Sequence, residues 1–598
     1  MSSFDGVANV HAADHFIQAF HATAAGVPER EALRTFDGSV SLTWGQVRDR
    51  ADAIAGGLVK LGVDHGQTVA LMLSNRPEFH VCDLAAMTIG ATPFSIYQTL
   101  PPESIEYVVG DAGAKVAIIE RAFYETFMKA RQNLPQIEHV IVIDGQGEEG
   151  TLPLSDIEGS NPGFDVEAAV ARIRPEDLIT LIYTSGTTGP PKGVQLDHAN
   201  LMACVRILDK VIKVPDAARV ISWLPTAHIA ERAANYYIPL AFGGTITTLD
   251  NPRNIIQALP QVRPNFFFAV PRIWEKMKAS IETQLEQIPG EQGELARKAI
   301  QAGIQKVRLE QAGRPVPKEL AEVCERADAE IFSKLRALLG LDEANSINTG
   351  AAPTPVDVLE FFHAIGLELA EVWGMSETTG AGTTNPPGKV RIGTVGPPAP
   401  DIEIKLDTDG EVLIRGPVIM RGYRNLPDKT KETFTDDGWL RTGDIGVFDE
   451  HGYLKIVDRK KELIINAAGK NMSPSNIEGK LKGASPFIGQ AFTIGDARPY
   501  NTALIVLDAD FVPSWAKQNG IEEGSLETLA ENEKVRAAVA EGVARANEQL
   551  ASVEQIKKFH IVHGDWLPGG DELTPTMKLK RRPIAQKYAR VIEGMYAG

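Results

Sequence analysis

Cysteine is scarce: Cys82, Cys204 and Cys324 are widely separated in a chain of 598 residues and form neither a CxxC pair nor a Cys/His ligand group. That excludes a disulfide framework and a thiolate metal site, and it fits a reducing compartment. Positive charge is also in deficit. Lys and Arg number 61 against 78 Asp and Glu, for a net charge of −17 and a pI near 5.3. A field of that sign repels polyanions, so nucleic acid is excluded as a partner unless a local basic patch intervenes. Long apolar runs are missing as well: no stretch of about 18 apolar residues occurs, so no spanning helix is expected. The opening MSSFDGVANVHAADHF has acidic residues and no apolar signal-peptide core. A cytoplasmic protein is the expectation, with peripheral membrane contact and self-association left open.

What is present is globular. Hydrophobic residues make up 43% and charged residues 23%, near the soluble average, and the length exceeds what one core organises, so at least two domains are expected. Apolar runs TVALML (68–73), KVAIIE (115–120), HVIVID (139–144) and LITLIY (178–183) alternate with helical stretches, which predicts α/β layers with largely parallel strands. From about Glu275 to Gly340 the text turns charged and helical. Apolar residues recur at three and four: Ile281, Leu285, Ile288; Ile300, Ile304, Val307; Val323, Ala327, Ile331, Leu335. GRPVP at 313–317 breaks this helical insertion. After Arg391 come short strands and turns, and beyond Asp458 the periodicity changes again, with Ser473-Pro474 as a helix cap and first turn. The division expected is a large domain over 1–458 and a smaller α+β domain over 459–598.

The most informative stretch is YTSGTTGPPKGV, Tyr183 to Val194, after an apolar strand and before a helix bearing Leu201, Cys204, Val205, Leu208 and Ile212 on one face. Strand, loop and helix in that order make a phosphate-binding context. Gly186, Gly189 and Gly193 let backbone approach an anion; Thr184, Ser185, Thr187 and Thr188 add hydroxyl donors; Lys192 adds charge. A Walker A loop would need Gly at 191 and Ser or Thr at 193, where Pro191 and Gly193 stand, so a P-loop NTPase is excluded.

TSGTTGPPKG resembles the signature loop of the adenylate-forming ligases, the superfamily of acyl-CoA synthetases, luciferases and peptide-synthetase adenylation domains. The resemblance runs from Thr43-Trp44 to Lys578, with the motifs in the family's order. It implies a layered α/β N-terminal domain and a smaller, mobile α+β C-terminal domain. LPTAHIAER (224–232) and VPRIWEK (270–276) resemble the long-chain fatty acyl-CoA synthetase branch, where His228 would stand at the meeting of acyl carboxylate and α-phosphate. TGAAP (349–353) and EVWGMSETTG (371–380) resemble the adenine pocket: Gly350, Ala351 and Ala352 would lie against the purine, with Trp373, Gly374 and Met375 beside it. Most relatives carry Tyr at 373, so the indole keeps an aromatic face and loses a phenol hydrogen bond. By the same resemblance Ser376 is a phosphate-side hydroxyl, and Glu377, with Thr184, a Mg²⁺ ligand. In WLRTGDIG, Asp444 would accept from the ribose hydroxyls. Asp458 would be a hinge, Arg459 a ribose or phosphate contact, and Gly469 the small residue on the path of CoA. LTPTMKLKRR (573–582) places Lys578 as the catalytic lysine and Arg581 as the trailing arginine, with Lys580 as a one-step rival.

These carry-overs imply an ATP-dependent long-chain fatty acid:CoA ligase that passes through an acyl-adenylate, with ATP and CoA as substrates and Mg²⁺ as cofactor. A fatty acyl-AMP ligase serving a carrier protein and a steroid or bile-acid CoA ligase are alternatives on the same fold. A non-catalytic lipid carrier would be expected to lose Lys578, Glu377 or the 184–193 loop, and all are present.

Overall fold

In a computed structural model, residues 10–184, 190–467, 470–521 and 524–597 are described. The first layer is an all-parallel five-stranded sheet in the order Thr92–Ser95, Thr68–Met72, Val116–Ile119, His139–Val142, Leu152–Pro153. Its central strands Thr68–Met72 and Val116–Ile119 are buried on both faces, as their near-continuous apolar sequences predict. The helix Trp44–Lys60 starts from a reciprocal cap between Thr43 and Gln46. It approaches the segment around Ile157 so closely that a Cβ on Gly57 would stand 2.2 Å from the Ile157 carbonyl oxygen.

Two further mixed sheets continue the large body. Arg219–Ser222, Thr245–Thr248 and Glu31–Thr35 are parallel, with Ser41–Thr43 antiparallel at the edge. Phe266–Ala269, Ser346–Thr349 and Leu369–Trp373 are parallel, and Thr383–Thr384 closes that sheet. The strands predicted at 68–73, 115–120 and 139–144 are parallel as expected, but Leu178–Thr184 is not. It forms an antiparallel hairpin with Lys192–Asp197, pairing Thr184 with Lys192 and Tyr183 with Gly193. The strands on either side of residues 185–189 therefore pair with each other, in place of the expected strand followed directly by a helix. KGVQLD extends as a strand first, and the helix His198–Ile212 begins only after Asp197 caps it. The helix face expected at Leu201, Cys204 and Val205 is buried.

The helical insertion is real: Pro271–Gln287, Gly290–Gln311, Lys318–Ala327 and Ser333–Leu339 are α-helices. Its apolar stripe departs from expectation at two places. Val323 is 46% exposed and Ile288 37%, while Cys324, Ala327 and Phe332 are buried. A π turn at Asp328–Phe332 adds a residue to the local repeat, and Ile331 and Leu335 beyond Ala327 still pack against the core as expected.

An antiparallel sheet of Glu403–Leu406, Glu411–Arg415, Leu440–Phe448 and Leu454–Arg459 leads to the last body. There Ile488–Ile494, Asn501–Leu507 and Ile556–Ile561 form a sheet packed by the helices Pro474–Ala484 and Glu533–Glu548. Apolar clusters over 10–440 and 464–595 share no member. Among the described residues no helix is long and apolar enough to cross a membrane.

Candidate active site

Side chains of the large body and of the C-terminal segment come together around Glu377, Asp444 and Lys578. Thr184 ends its strand, its hydroxyl donating to the Lys192 carbonyl at 3.4 Å. Lys192 lies 3.9 Å over the Tyr423 ring. The Tyr423 phenol donates to Glu377 Oε1 at 2.7 Å, which leaves the other carboxylate oxygen for a further partner. Glu377 and Ser376 are buried in a one-turn segment after Trp373–Gly374. Close approach explains the glycines here: a Cβ on Gly374 would lie 2.3 Å from the Gly380 carbonyl, and one on Gly382 would lie 2.8 Å from the Trp373 ring. Gly350, Ala351 and Ala352 follow the strand Ser346–Thr349; Ala351 adopts a left-handed φ of 68°, and both alanines are exposed. Met375 is half-buried beside them.

Trp373 corrects one expectation. In place of the lost phenol hydrogen bond, its indole N–H donates to Asp444 Oδ2 at 2.8 Å. Asp444 is buried, and its Oδ1 accepts from Arg459 Nε at 2.8 Å. Burial raises the Asp444 pKa, against the attraction of Arg459 and the indole donor. Asp458, also buried, accepts from the hydroxyls of Ser473 and Ser475 and from the Ser475 amide, which ties it to the start of the helix Pro474–Ala484.

His228 sits on a turn where its own amide donates to the Pro225 carbonyl at 2.9 Å. Its Nδ1 accepts from the Ala230 amide at 3.2 Å, so Nε2 carries the proton of the neutral ring. Burial, helped by the charge of Lys578, lowers its pKa to about 4. Lys578 comes from the far end of the chain. It keeps water contact, yet the protein packed around it lowers its pKa, as does Arg459, while Asp444 and Glu377 act in the opposite sense. The rival Lys580 turns inward, donating to the Gly570 carbonyl at 2.7 Å. Arg581 braces the same loop with a bidentate pair to Glu478 at 2.8 Å and a third bond to Glu462 at 2.9 Å. Elsewhere the two bodies are joined by ion pairs, Lys276 with Asp510 at 2.5 Å and Arg272 with Asp508.

Thr184, Lys192, His228, Gly350, Ala351, Ala352, Trp373, Gly374, Met375, Ser376, Glu377, Asp444, Arg459 and Lys578 are thus placed; Ser185, Gly186, Thr187, Thr188, Gly189 and Gly469 lie outside the described residues. Motif reading missed Tyr423 and Gly382, and also Glu231 and Arg232, which stood inside a quoted motif without a role.

A family model described as AMP-binding enzyme matches residues 20–424, and one described as AMP-binding enzyme C-terminal domain matches 461–598. The chain belongs to the AMP-binding enzymes. Within that family it is 47% identical over 454 residues to fadD11 of Mycobacterium tuberculosis, whose name places it among fatty-acid–CoA ligases; 75% of this chain and 79% of that one are covered. It is 33% identical to the long-chain-fatty-acid–CoA ligase FadD15 of Mycobacterium bovis, covering 94% of each. Among solved AMP-binding folds, an anthranilate CoA ligase in complex with anthranoyl-AMP superposes with a TM-score of 0.72 at 20% identity, covering 96% of this chain and 97% of that one. The adenylation domain of a carboxylate reductase from Mycobacterium chelonae gives 0.73 at 19%, covering 99% and 93%. At those identities the likeness is one of fold, a large N-terminal domain followed by a small C-terminal one.

Proposed function

We propose that the protein is an ATP-dependent long-chain fatty acid:CoA ligase. The observation that carries the reading is the convergence of Lys578 on the His228, Glu377 and Asp444 of the large body, since an ammonium from near the C-terminal end completes a site otherwise built before residue 460. Relatives named as fatty-acid–CoA ligases supply the substrate class.

A carboxylate is a poor acylating agent because its leaving group would be oxide. The fatty carboxylate therefore attacks the α-phosphorus of ATP: an O–P bond forms, the α–β bridge breaks and pyrophosphate leaves. The enzyme's task is positioning and neutralisation of charge on phosphate oxygens. Lys578 and Lys192 supply that charge, with the 184–189 segment and Ser376 as donors. His228, neutral with Nε2–H, donates to the carboxylate or the α-phosphate without competing as a base. Asp444, held by Trp373 and Arg459, accepts from the ribose diol, and the purine lies between Trp373 and the 350–352 backbone. Glu377 and Thr184 offer hard oxygen donors to Mg²⁺, and the Glu377 oxygen that Tyr423 does not occupy suits that use. Magnesium, when bound, would neutralise phosphate charge. In the second half-reaction the CoA thiol attacks the acyl carbonyl, a C–S bond forms and AMP leaves. We assign the division of the chain to Asp458, with 459–598 turning about it so that Lys578 withdraws and the Gly469 segment lines the thiol path.

Pyrophosphate release on mixing with ATP and a long-chain acid, followed by CoA-dependent AMP release, is the expected result. Adenylate formation without CoA-dependent release would indicate an acyl-AMP ligase, and no pyrophosphate release with any acid would refute the reading.

A further inference from the structure

The segment that presents His228 is fixed from beneath by two buried side chains. Glu231 is fully buried, and its Oε2 accepts from the Leu224 amide at 3.0 Å and from Asn235 Nδ2 at 2.7 Å; Oε1 accepts from Asn75 Nδ2 at 3.3 Å. The same Asn75 amide donates to the Leu224 carbonyl at 2.8 Å. Leu224 is thus held at both its N–H and its C=O. Two residues on, the Thr226 carbonyl accepts from Arg232 Nε at 3.2 Å. Arg232, also fully buried, is locked by a bidentate pair to Asp83 at 2.8 and 3.2 Å and by donation to Ser95 and Tyr237. Burial opposes ionisation of Asp83, while the charge and two-point hydrogen bonding of Arg232 favour it. The Arg232 amide then closes on the His228 carbonyl at 3.2 Å.

Among the described residues the hydrogen bonds of this network to the turn end on 224, 226 and 228, and Asn75 also donates to the Ser222 hydroxyl at 3.0 Å. Buried polar groups of this density are costly unless all are satisfied, and here their common output is the geometry of one turn. Glu231 and Arg232 open a π turn that runs to Tyr237, and both reach back from its first residues to 224 and 226.

We infer that Glu231, with Arg232, is a positioning residue for adenylation, holding the 224–228 turn so that the His228 Nε2–H meets the reacting carboxylate. The inference rests on the role proposed above for His228. Glutamine at 231 is isosteric but must set an amide N–H₂ against the donors that now face the carboxylate, which shifts the turn. A displacement on the order of 1 Å costs on the order of 100-fold in rate.

The test is a double-mutant cycle of Glu231→Gln and His228→Ala, read as single-turnover pyrophosphate release with ATP and a long-chain acid, with thioester formation from supplied acyl-AMP alongside. Glu231→Gln is expected to slow adenylation by about 10- to 100-fold at unchanged KM for ATP, to leave the thioester step intact, and to add nothing in the His228→Ala background. An equal factor in both backgrounds, with His228→Ala itself slow, would overturn this inference alone. His228→Ala at full rate would overturn the role of His228 and this inference together. If Glu231→Gln does not fold, Asn235→Ala removes one donor to the same carboxylate, spares the Arg232–Asp83 pair and enters the same cycle, with the same outcomes deciding.

Discussion

Replacing Trp373 by phenylalanine keeps an aromatic face and deletes one donor, the indole N–H that reaches Asp444 at 2.8 Å. Asp444 is 5% exposed, so water does not readily replace the lost partner. A hydrogen bond to a charged group is worth about 1.5–3 kcal/mol net, which corresponds to roughly 10- to 150-fold in affinity. The low end applies, because Arg459 still holds the other oxygen at 2.8 Å. Phenylalanine also removes a contact that opposes the upward push of burial on the carboxyl, so a larger share of Asp444 is neutral and a weaker acceptor for the ribose diol. The expected outcome is a rise of about 10-fold in the KM for ATP and in the inhibition constant of AMP, with the adenylation rate at saturation little changed. AMP is the sharper probe because it carries the ribose without the pyrophosphate. Unaltered AMP affinity, or a loss confined to kcat, would refute the claim that Trp373 sets the ribose acceptor.

Lys578→Ala is expected to cut adenylate formation by about 100- to 1,000-fold and spare thioester formation from acyl-AMP, whereas Lys580→Ala, whose ammonium serves Gly570, leaves both steps within a few-fold; equal losses in the two variants would overturn the assignment. Desolvation and then Arg459 depress the Lys578 pKa, and the protonated form is the active one, so adenylation falls as pH rises, with its break below the ~10.4 of a free lysine. His228, lowered to about 4, stays neutral and contributes no break near 6.5; a break there that disappears in His228→Ala would contradict this. Gly57→Ala forces apart the helix Trp44–Lys60 and the Ile157 carbonyl, lowering stability by about 1–3 kcal/mol without touching the site; an unchanged denaturation midpoint would show that the contact yields freely.

The order of the chemical motifs was legible because each is a short local string whose residues stay together in space: 349–353 and 371–377 reach the site from strand ends and the turns beside them, and 441–446 from within the strand Leu440–Phe448. Local strings failed where neighbours decide the outcome. Lys192–Asp197 alternates weakly and follows two prolines, so its strand character depends on pairing with Leu178–Thr184 and, on its other side, Gly422–Tyr423. Val323 obeyed a regular helical period, but Cys324 and Ala327 take the buried face there. Tyr423, Asn75 and Asp83 act on partners 46, 156 and 149 residues away, and a single sequence carries no periodic trace of such pairs. The Trp373–Asp444 bond spans 71 residues, so the departure from tyrosine could be noticed but its new partner could not.

The charged bridges from Arg272 and Lys276 to Asp508 and Asp510 are partly open to solvent. Attraction of that kind is screened over a Debye length of about 8 Å at physiological ionic strength. Added electrolyte should therefore loosen the grip of the small body on the insertion helix and favour the second half-reaction over the first. A potassium chloride titration that leaves the ratio of the two rates unchanged would show that these bridges carry no such weight.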